Sequence, residues 1–209
     1  SRGPLLDIHT DSTGAEGTTN DGLQKFLKGG ISIEDDVSVN TSGESYVAWN
    51  WAANGGTTSA NTDGSGATLA STIQANQTAG FSIVTYTGNA TAGAKVAHGL
   101  SQAPQWLWIK GRSVGTSNVM YHHKNTAAPA TDYLALNTSD ATYDAIFLND
   151  TAPDAKCFTL GPTGYSTNND DATYVAYCWH SVAGYSKFGS YTGNGNADGT
   201  FIMTGFKPA

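Results

Sequence analysis

Short runs of alternating apolar and polar residues recur along this chain, and turns rich in Gly and Asn separate them. Alternation with a period of two is typical of strands that are buried on one face. The spacing of the runs predicts an antiparallel β-sandwich, with one short helix over Asp21–Leu27. The predicted strands are Ile31–Ile33, Tyr46–Trp51, Phe81–Tyr86, Gln105–Lys110, Asn118–His122, Tyr133–Leu136, Ala145–Leu148, Cys157–Leu160, Tyr174–Trp179, Ser186–Tyr191 and Thr200–Met203.

The composition agrees with an all-β fold. Charged residues make up 13% of the 209 residues, against roughly 25% in soluble domains, and good helix formers are scarce, which excludes a helical bundle. Ten Tyr and five Trp provide enough apolar surface for a core, so the chain should fold. We expect a single domain over residues 1–209, and two domains are the alternative. The net charge of −7 argues against nucleic-acid binding, and no apolar run is long enough to predict a membrane-spanning helix.

Two blocks of sequence occur twice. Tyr46-Val47-Ala48-Trp49-Asn50-Trp51 parallels Tyr174-Val175-Ala176-Tyr177-Cys178-Trp179 at an offset of 128 residues. Thr85-Tyr86-Thr87-Gly88-Asn89 parallels Ser190-Tyr191-Thr192-Gly193-Asn194 at an offset of 105 residues. We therefore predict a tandem internal repeat with copies at about residues 30–104 and 157–209. The difference between the offsets places an insertion at residues 52–80 of the first copy, as a long exposed loop or an extra hairpin.

The register of the copies predicts that the chain is cut from a tandem array. Gln102-Ala103-Pro104 leads into a strand in the first copy, whereas Lys207-Pro208-Ala209 reaches the same point at the end of the chain. We expect the sequence to hold the end of one unit, a whole unit and the start of the next.

The repeated blocks carry a family resemblance. Together with Gly184–Gly195, Thr204–Ala209 and the segment Ala97-His98-Gly99-Leu100, they resemble a module of tail-fibre and virion-surface proteins of tailed phages, notably marine and cyanobacterial ones. The resemblance implies a structural role on a virion. By analogy it also implies a sandwich of the jelly-roll, concanavalin-like or laminin-G-like kind.

Trp106 and Trp108 are candidate ligand-binding residues. They lie two apart on one predicted strand and therefore share a face. Exposed Trp rings bind the C–H faces of sugars, and the alternative is core packing between sheets. Tyr121 and His122 match the pattern of the phage module and join the candidate set. For the second indole pair, Trp49 and Trp51, we expect core packing.

The remaining candidates are weaker. Asp35-Asp36, Asn168–Asp171 and Asn194–Asp198 offer oxygen ligands for Ca²⁺, but none matches an EF-hand loop, and turns with solvated charge explain them. We expect no cofactor. His122 and His123 are adjacent and face opposite sides of a strand, so they cannot chelate one ion together. We expect His98 to bond to the backbone in a turn.

The cysteines allow two interpretations. Cys157 and Cys178 lie on successive predicted strands, so they are either two small buried hydrophobic residues or a disulfide across a sheet.

These observations predict a non-enzymatic structural or adhesion module at a virion surface, outside the cell. Its predicted partners are copies of itself, with a trimer favoured, other virion proteins and a host-surface glycan. The alternatives are a polysaccharide-degrading tailspike enzyme and an extracellular bacterial adhesin or lectin domain.

Overall fold

The computed structural model describes residues 4–53, 58–59 and 65–208. Its regular secondary structure is β-strand apart from one short helix, and turns and irregular segments connect the strands. The helix α1 spans Val37–Asn40, and the Asp36 carboxylate caps its start by accepting a hydrogen bond from the Ser38 backbone N–H at 2.7 Å. The strands are, in chain order, β1 (Leu6–Asp7), β2 (Gly17–Thr18), β3 (Leu23–Leu27), β4 (Gly30–Ile33), β5 (Thr58–Ser59), β6 (Ser71–Asn76), β7 (Phe81–Thr87), β8 (Lys95–Ala97), β9 (Trp106–Gly111), β10 (Val119–His122), β11 (Asp132–Ala135), β12 (Tyr143–Asp144), β13 (Cys157–Thr159) and β14 (Thr173–Trp179).

Eight of these strands form one antiparallel sheet in the order β12-β11-β10-β9-β14-β7-β6-β5. The strand β14 lies near the centre and pairs with β7 on one side and β9 on the other. Its sequence, Thr-Tyr-Val-Ala-Tyr-Cys-Trp, is rich in aromatic and β-branched residues, which favour a strand with neighbours on both edges. Three two-stranded sheets, β1-β2, β3-β4 and β8-β13, complete the fold.

The core lies between one face of the large sheet and a second layer that contains β8, β13 and the segment around Phe147. Val84, Tyr86 and Tyr174 contribute from the sheet, while Val96 and Phe158 face them from the second layer. The rings of Tyr86 and Tyr174 stack at 5.2 Å between centroids. The predicted all-β antiparallel sandwich is thus confirmed, with two layers of unequal size.

Several details of the prediction are wrong. Residues 21–27 form no helix, since Leu23–Leu27 is the strand β3. Four predicted strands are irregular or turn segments in the structure, namely Tyr46–Trp51, Ala145–Leu148, Ser186–Tyr191 and Thr200–Met203. The structure therefore does not show the repeat as two like units.

The predicted insertion at residues 52–80 is in part a hairpin. β6 pairs with β7 through the turn Gln77–Gly80, and β5 pairs with the other edge of β6. Gly80 adopts φ 64° in this turn, and a Cβ atom there would lie 2.7 Å from the His180 carbonyl oxygen, so the turn requires glycine. Residues 54–57 and 60–64 of the predicted loop lie outside the described residues.

Candidate functional site

The face of the large sheet that points away from the core carries two rows of aromatic side chains. In the β9–β14 pairing, Trp106 lies opposite Trp179 and Trp108 lies opposite Tyr177. Directly opposed residues share a face, and alternation along each strand places all four rings together. The Trp106 and Trp179 rings stack at 4.4 Å between centroids, and the Trp108 and Tyr177 rings stack at 4.8 Å.

These rows form the floor of a groove with a volume of about 990 Å³. Phe81 and Ile83 of β7 extend the floor, and the Phe81 ring lies 5.0 Å from that of Trp179. All five tryptophans of the chain line this groove, namely Trp49, Trp51, Trp106, Trp108 and Trp179.

Uncharged polar side chains surround the aromatic floor. Gln74 and Thr72 reach the groove from β6, Thr85 from β7, and Asn50 and Thr10 from irregular segments. The lining therefore combines flat apolar rings with amides and hydroxyls, which donate and accept hydrogen bonds without a net charge. This is the usual composition of a pocket for an uncharged small ligand.

The side chain of Asn118 fixes the orientation of Trp108. The Asn118 side chain is fully buried, and its Oδ1 accepts a hydrogen bond from Trp108 Nε1 at 3.1 Å. Its Nδ2 donates to the carbonyl oxygens of Ser12 at 2.9 Å and His9 at 3.3 Å. In contrast, Nε1 of Trp106 and Nε1 of Trp179 are buried without a hydrogen-bond partner among the described residues.

The N-terminal segment closes one end of the outer face. Lys110 points to this face and is fully buried, and its Nζ donates hydrogen bonds to the carbonyl oxygens of Ser12 at 3.0 Å and Thr116 at 2.7 Å. Desolvation lowers the pKa of Lys110. Arg112 forms a salt bridge with Glu16 at 2.9 Å beside it. The two cations that follow Trp108 therefore bind the N-terminal segment and do not line the aromatic groove.

Two of the four predicted site residues, Trp106 and Trp108, lie in the groove and are half-buried. His122 lies opposite Trp106 in the β9–β10 pairing and shares its face, next to the groove. Burial, and to a lesser extent the neighbouring His123, lowers the pKa of His122. Tyr121 lies opposite Leu107 on the other face of the sheet and is only 4% exposed, so it belongs to the core.

The other indole pair does not pack in the core as predicted. Trp49 and Trp51 are 79% and 47% exposed, and they lie over the groove rather than between the layers. The Trp51 ring contacts that of Trp179 edge-on at 5.9 Å. The site predicted from the sequence does not include Trp179 and Tyr177, which also line the groove. Their period-two spacing on one strand was the available signal, but only the pairing with β9 brings them to Trp106 and Trp108.

The remaining candidates have structural roles. His98 is buried, its Nδ1 accepts a hydrogen bond from the Leu100 backbone N–H at 3.1 Å, and its Nε2 contacts the Asp154 carbonyl oxygen at 3.1 Å, as expected for a turn histidine. The fully buried Asn168 bonds through its side chain to Thr91 O, Gly161 O and Asn89 N, each within 3.0 Å.

No group of three or more His, Cys, Asp or Glu side chains suited to a metal ion occurs among the described residues. Cys157 and Cys178 are both buried and are not joined by a disulfide. Burial raises the pKa of the Cys178 thiol to about 12, so this side chain is a small core residue rather than a nucleophile. The one helix in the described part of the chain is too short to cross a membrane.

Comparison with known proteins places the chain in a family. A family model described as "Domain of unknown function (DUF7483)" matches residues 1–209, so the chain belongs to that family. Neither a curated protein nor a solved structure gives a significant match.

Proposed function

We propose that this member of the DUF7483 family is a non-enzymatic binding module of a phage virion surface, and that its aromatic groove takes a host-surface glycan. The observation that carries this proposal is the groove itself, in which two stacked aromatic pairs form the floor of a 990 Å³ cavity. Trp106, Trp108 and Tyr177 of the floor are partly exposed, and Trp49 and Trp51 above them are 79% and 47% exposed. A contiguous apolar patch of this kind marks a binding site.

The lining suits a sugar chemically. Sugar rings present apolar C–H faces that pack against indole and phenol rings, and hydroxyls that bond to amides and other hydroxyls. Trp108 and Tyr177 supply the rings, and Gln74, Asn50 and Thr72 supply uncharged hydrogen-bonding groups at the margin. Because no cationic side chain lines the groove in the described part of the chain, an uncharged oligosaccharide fits better than a phosphorylated or highly acidic one.

The proposed location follows from the sequence resemblance and from the surface chemistry. The blocks around Tyr174–Trp179 and Gly184–Gly195 resemble virion-surface modules of tailed phages. A weakly charged antiparallel sandwich is a rigid support for a binding face that works outside the cell. Its partners would be the host glycan and neighbouring virion proteins.

Binding of purified host-surface oligosaccharides, measured by isothermal titration calorimetry, tests the proposal. Trp108→Ala should weaken binding by about tenfold to thirtyfold, since a well-packed aromatic anchor contributes about 1.4–2 kcal/mol. Tyr165→Ala is the matched control, because Tyr165 is a partly exposed aromatic residue that does not line the groove.

Two results would contradict the proposal. Equal affinity of the Trp108→Ala variant and the unaltered protein would place the glycan elsewhere. Release of reducing ends from the polysaccharide during the titration would show that the module is a tailspike enzyme rather than a binding module.

A further inference from the structure

The exposed large hydrophobic side chains are concentrated in two segments. Of eighteen such side chains among the described residues, nine lie between Phe26 and Trp51 and five lie between Tyr185 and Met203. Tyr191 is 68% exposed and Tyr46 is 47% exposed. Both segments flank the part of the chain that forms the core, so the uncovered apolar surface belongs to its two ends.

The sequence of each exposed segment parallels a strand that is paired in the core. Tyr46–Trp51 corresponds to Tyr174–Trp179 of β14, with Tyr, Val, Ala and the final Trp identical. Residues 186–194 correspond to residues 81–89, which contain β7 (Phe81–Thr87), and the Tyr-Thr-Gly-Asn stretch that ends this block is identical. In the structure, β14 and β7 are direct neighbours. The two exposed segments thus have the sequences of partner strands, yet neither is paired as one.

The β7–β14 register defines how these segments would pair. Tyr174 lies opposite Tyr86, and Trp179 lies opposite Phe81. Transferred to the exposed blocks, this register sets Tyr46 opposite Tyr191. The Tyr86–Tyr174 ring stack of the core, at 5.2 Å, would be reproduced by that pair.

A second strand pair gives the same result independently. Strand β13 pairs with β8 so that Phe158 lies opposite Val96. The block Gly30–Ile33 parallels Cys157–Leu160, and residues 201–206 parallel residues 95–100, so the transferred register sets Ile31 opposite Ile202. Ile31 is 40% exposed and lies on β4, which pairs only with β3 among the described strands and has a free edge.

We propose that residues 30–51 of one copy of this chain pair with residues 186–206 of a second copy, in the β14–β7 and β13–β8 registers. The assembled pairs would cover the exposed Tyr, Ile and Met side chains of both segments. Trp49 and Trp51 would then occupy the positions that Tyr177 and Trp179 occupy on the aromatic face.

The structure favours a second copy over the same chain. Within one chain, Trp51 packs against Trp179 and Phe188 packs against Trp106 at 5.7 Å. The stacked Trp106 and Trp179 rings therefore lie between the two segments, whereas paired strands need a separation of about 4.8 Å. Pairing between the N-terminal segment of one copy and the C-terminal segment of another is a head-to-tail contact. Two copies that exchange these segments form a dimer, and several copies joined in sequence form a closed ring.

Cysteine cross-linking between two differently labelled chains tests the register. Val47 is predicted to lie opposite Ser190, so a mixture of the V47C and S190C proteins should form a heterodimeric disulfide under mild oxidation. The Cα atoms of opposed residues lie about 4.5–5.5 Å apart, which is within reach of a disulfide. The control is V47C mixed with T192C, which is equally exposed but displaced by two residues, and its yield should be at least tenfold lower.

Three outcomes would overturn the proposal. Equal cross-linking of both mixtures would refute the register. A rapid intramolecular disulfide in the V47C/S190C double variant, at the expense of cross-linked dimers, would assign the partner to the same chain. A monomer by sedimentation velocity of the unaltered protein at micromolar concentration would exclude a second copy.

A charge substitution separates this interface from the groove. Tyr191→Asp should shift the assembly to monomer, whereas Tyr165→Asp, on an exposed aromatic residue elsewhere, should not. Because Tyr191 lies outside the groove, glycan binding by the Tyr191→Asp monomer should persist if the proposed function is correct. Loss of assembly and loss of glycan binding are therefore distinguishable.

Discussion

Replacing Asn118 by Ala should destabilise the fold and release Trp108. The side chain of Asn118 is fully buried and makes three hydrogen bonds, to Trp108 Nε1 at 3.1 Å and to the carbonyl oxygens of Ser12 and His9 at 2.9 and 3.3 Å. It joins the groove floor to the N-terminal segment that closes one end of the sheet.

The magnitude follows from what each partner loses. A buried hydrogen bond contributes about 1 kcal/mol net, and more is lost when the partner is left unsatisfied. The Ser12 carbonyl oxygen keeps its hydrogen bond from Lys110 Nζ, and His9 is exposed to water. Neither carbonyl oxygen is therefore left without a hydrogen-bond partner. Two short bonds and one long bond then give a loss of about 2–3 kcal/mol.

Urea unfolding followed by tryptophan fluorescence measures this loss. Asn20→Ala, at an exposed position, should change the free energy of unfolding by less than about 0.5 kcal/mol. Asn118→Asp keeps the acceptor for Trp108 but sets a carboxylate oxygen against Ser12 O, so it should destabilise at least as much as Asn118→Ala. If Asn118→Ala behaves like Asn20→Ala, the link between the segment and the groove is refuted.

Three further predictions concern the core. Asn168→Ala removes three buried hydrogen bonds and should lower the free energy of unfolding by about 2–4 kcal/mol in the same urea assay. Gly161→Ala places a Cβ atom 2.0 Å from the Ile146 carbonyl oxygen and should cost about 1–3 kcal/mol, read as a lower melting temperature. Burial lowers the pKa of His98, so as the pH falls below about 6.5 the unfolded chain binds a proton before the folded protein does. The free energy of unfolding should therefore decrease by at most about 1.4 kcal/mol per pH unit in this range. Urea unfolding at several pH values measures this slope.

Each of these has a result that would contradict it. Asn168→Ala at wild-type stability would mean that water replaces the amide, and an unchanged melting temperature for Gly161→Ala would mean that the backbone relaxes freely. A His98→Gln variant should flatten the dependence on pH between about 6.5 and the lower pKa of the folded state. An identical slope in that variant would assign the proton uptake to another group.

The sequence predicted the central strands well because alternation sets which side chains share a face. Tyr174–Trp179 and Gln105–Lys110 form β14 and β9 as expected, within a residue or two at the ends. The same alternation in Tyr46–Trp51 predicted a strand that the structure lacks. A strand also needs a neighbour, and a local pattern contains no information on whether one is available.

The site was only partly predictable for a related reason. Trp106 and Trp108 were identified from their spacing, but the alternation in Asn118–His122 does not reveal which face is buried. The pairing of Tyr121 with Leu107 settles that face, and it depends on a long-range register. Trp179 likewise reaches the groove only through its long-range pairing with Trp106.

The β3 hairpin shows the limit for local propensity. Residues 21–27 contain Leu, Gln, Lys and Phe, which are compatible with a helix, but the Lys28-Gly29 turn that follows allows the chain to fold back. Gly29 adopts φ 86°, and β3 pairs with β4 across this turn. The pairing outweighs the weak helical preference.

A fluorescence titration tests the central claim most directly, since all five tryptophans line the groove. With a host-surface oligosaccharide as titrant, we expect a saturable change in tryptophan emission for the unaltered protein. The oligosaccharide concentration at its midpoint should be about tenfold to thirtyfold lower than for Trp108→Ala. Tyr165→Ala should titrate like the unaltered protein. Binding that is detected by calorimetry but leaves tryptophan emission unchanged in all three proteins would contradict an aromatic glycan site.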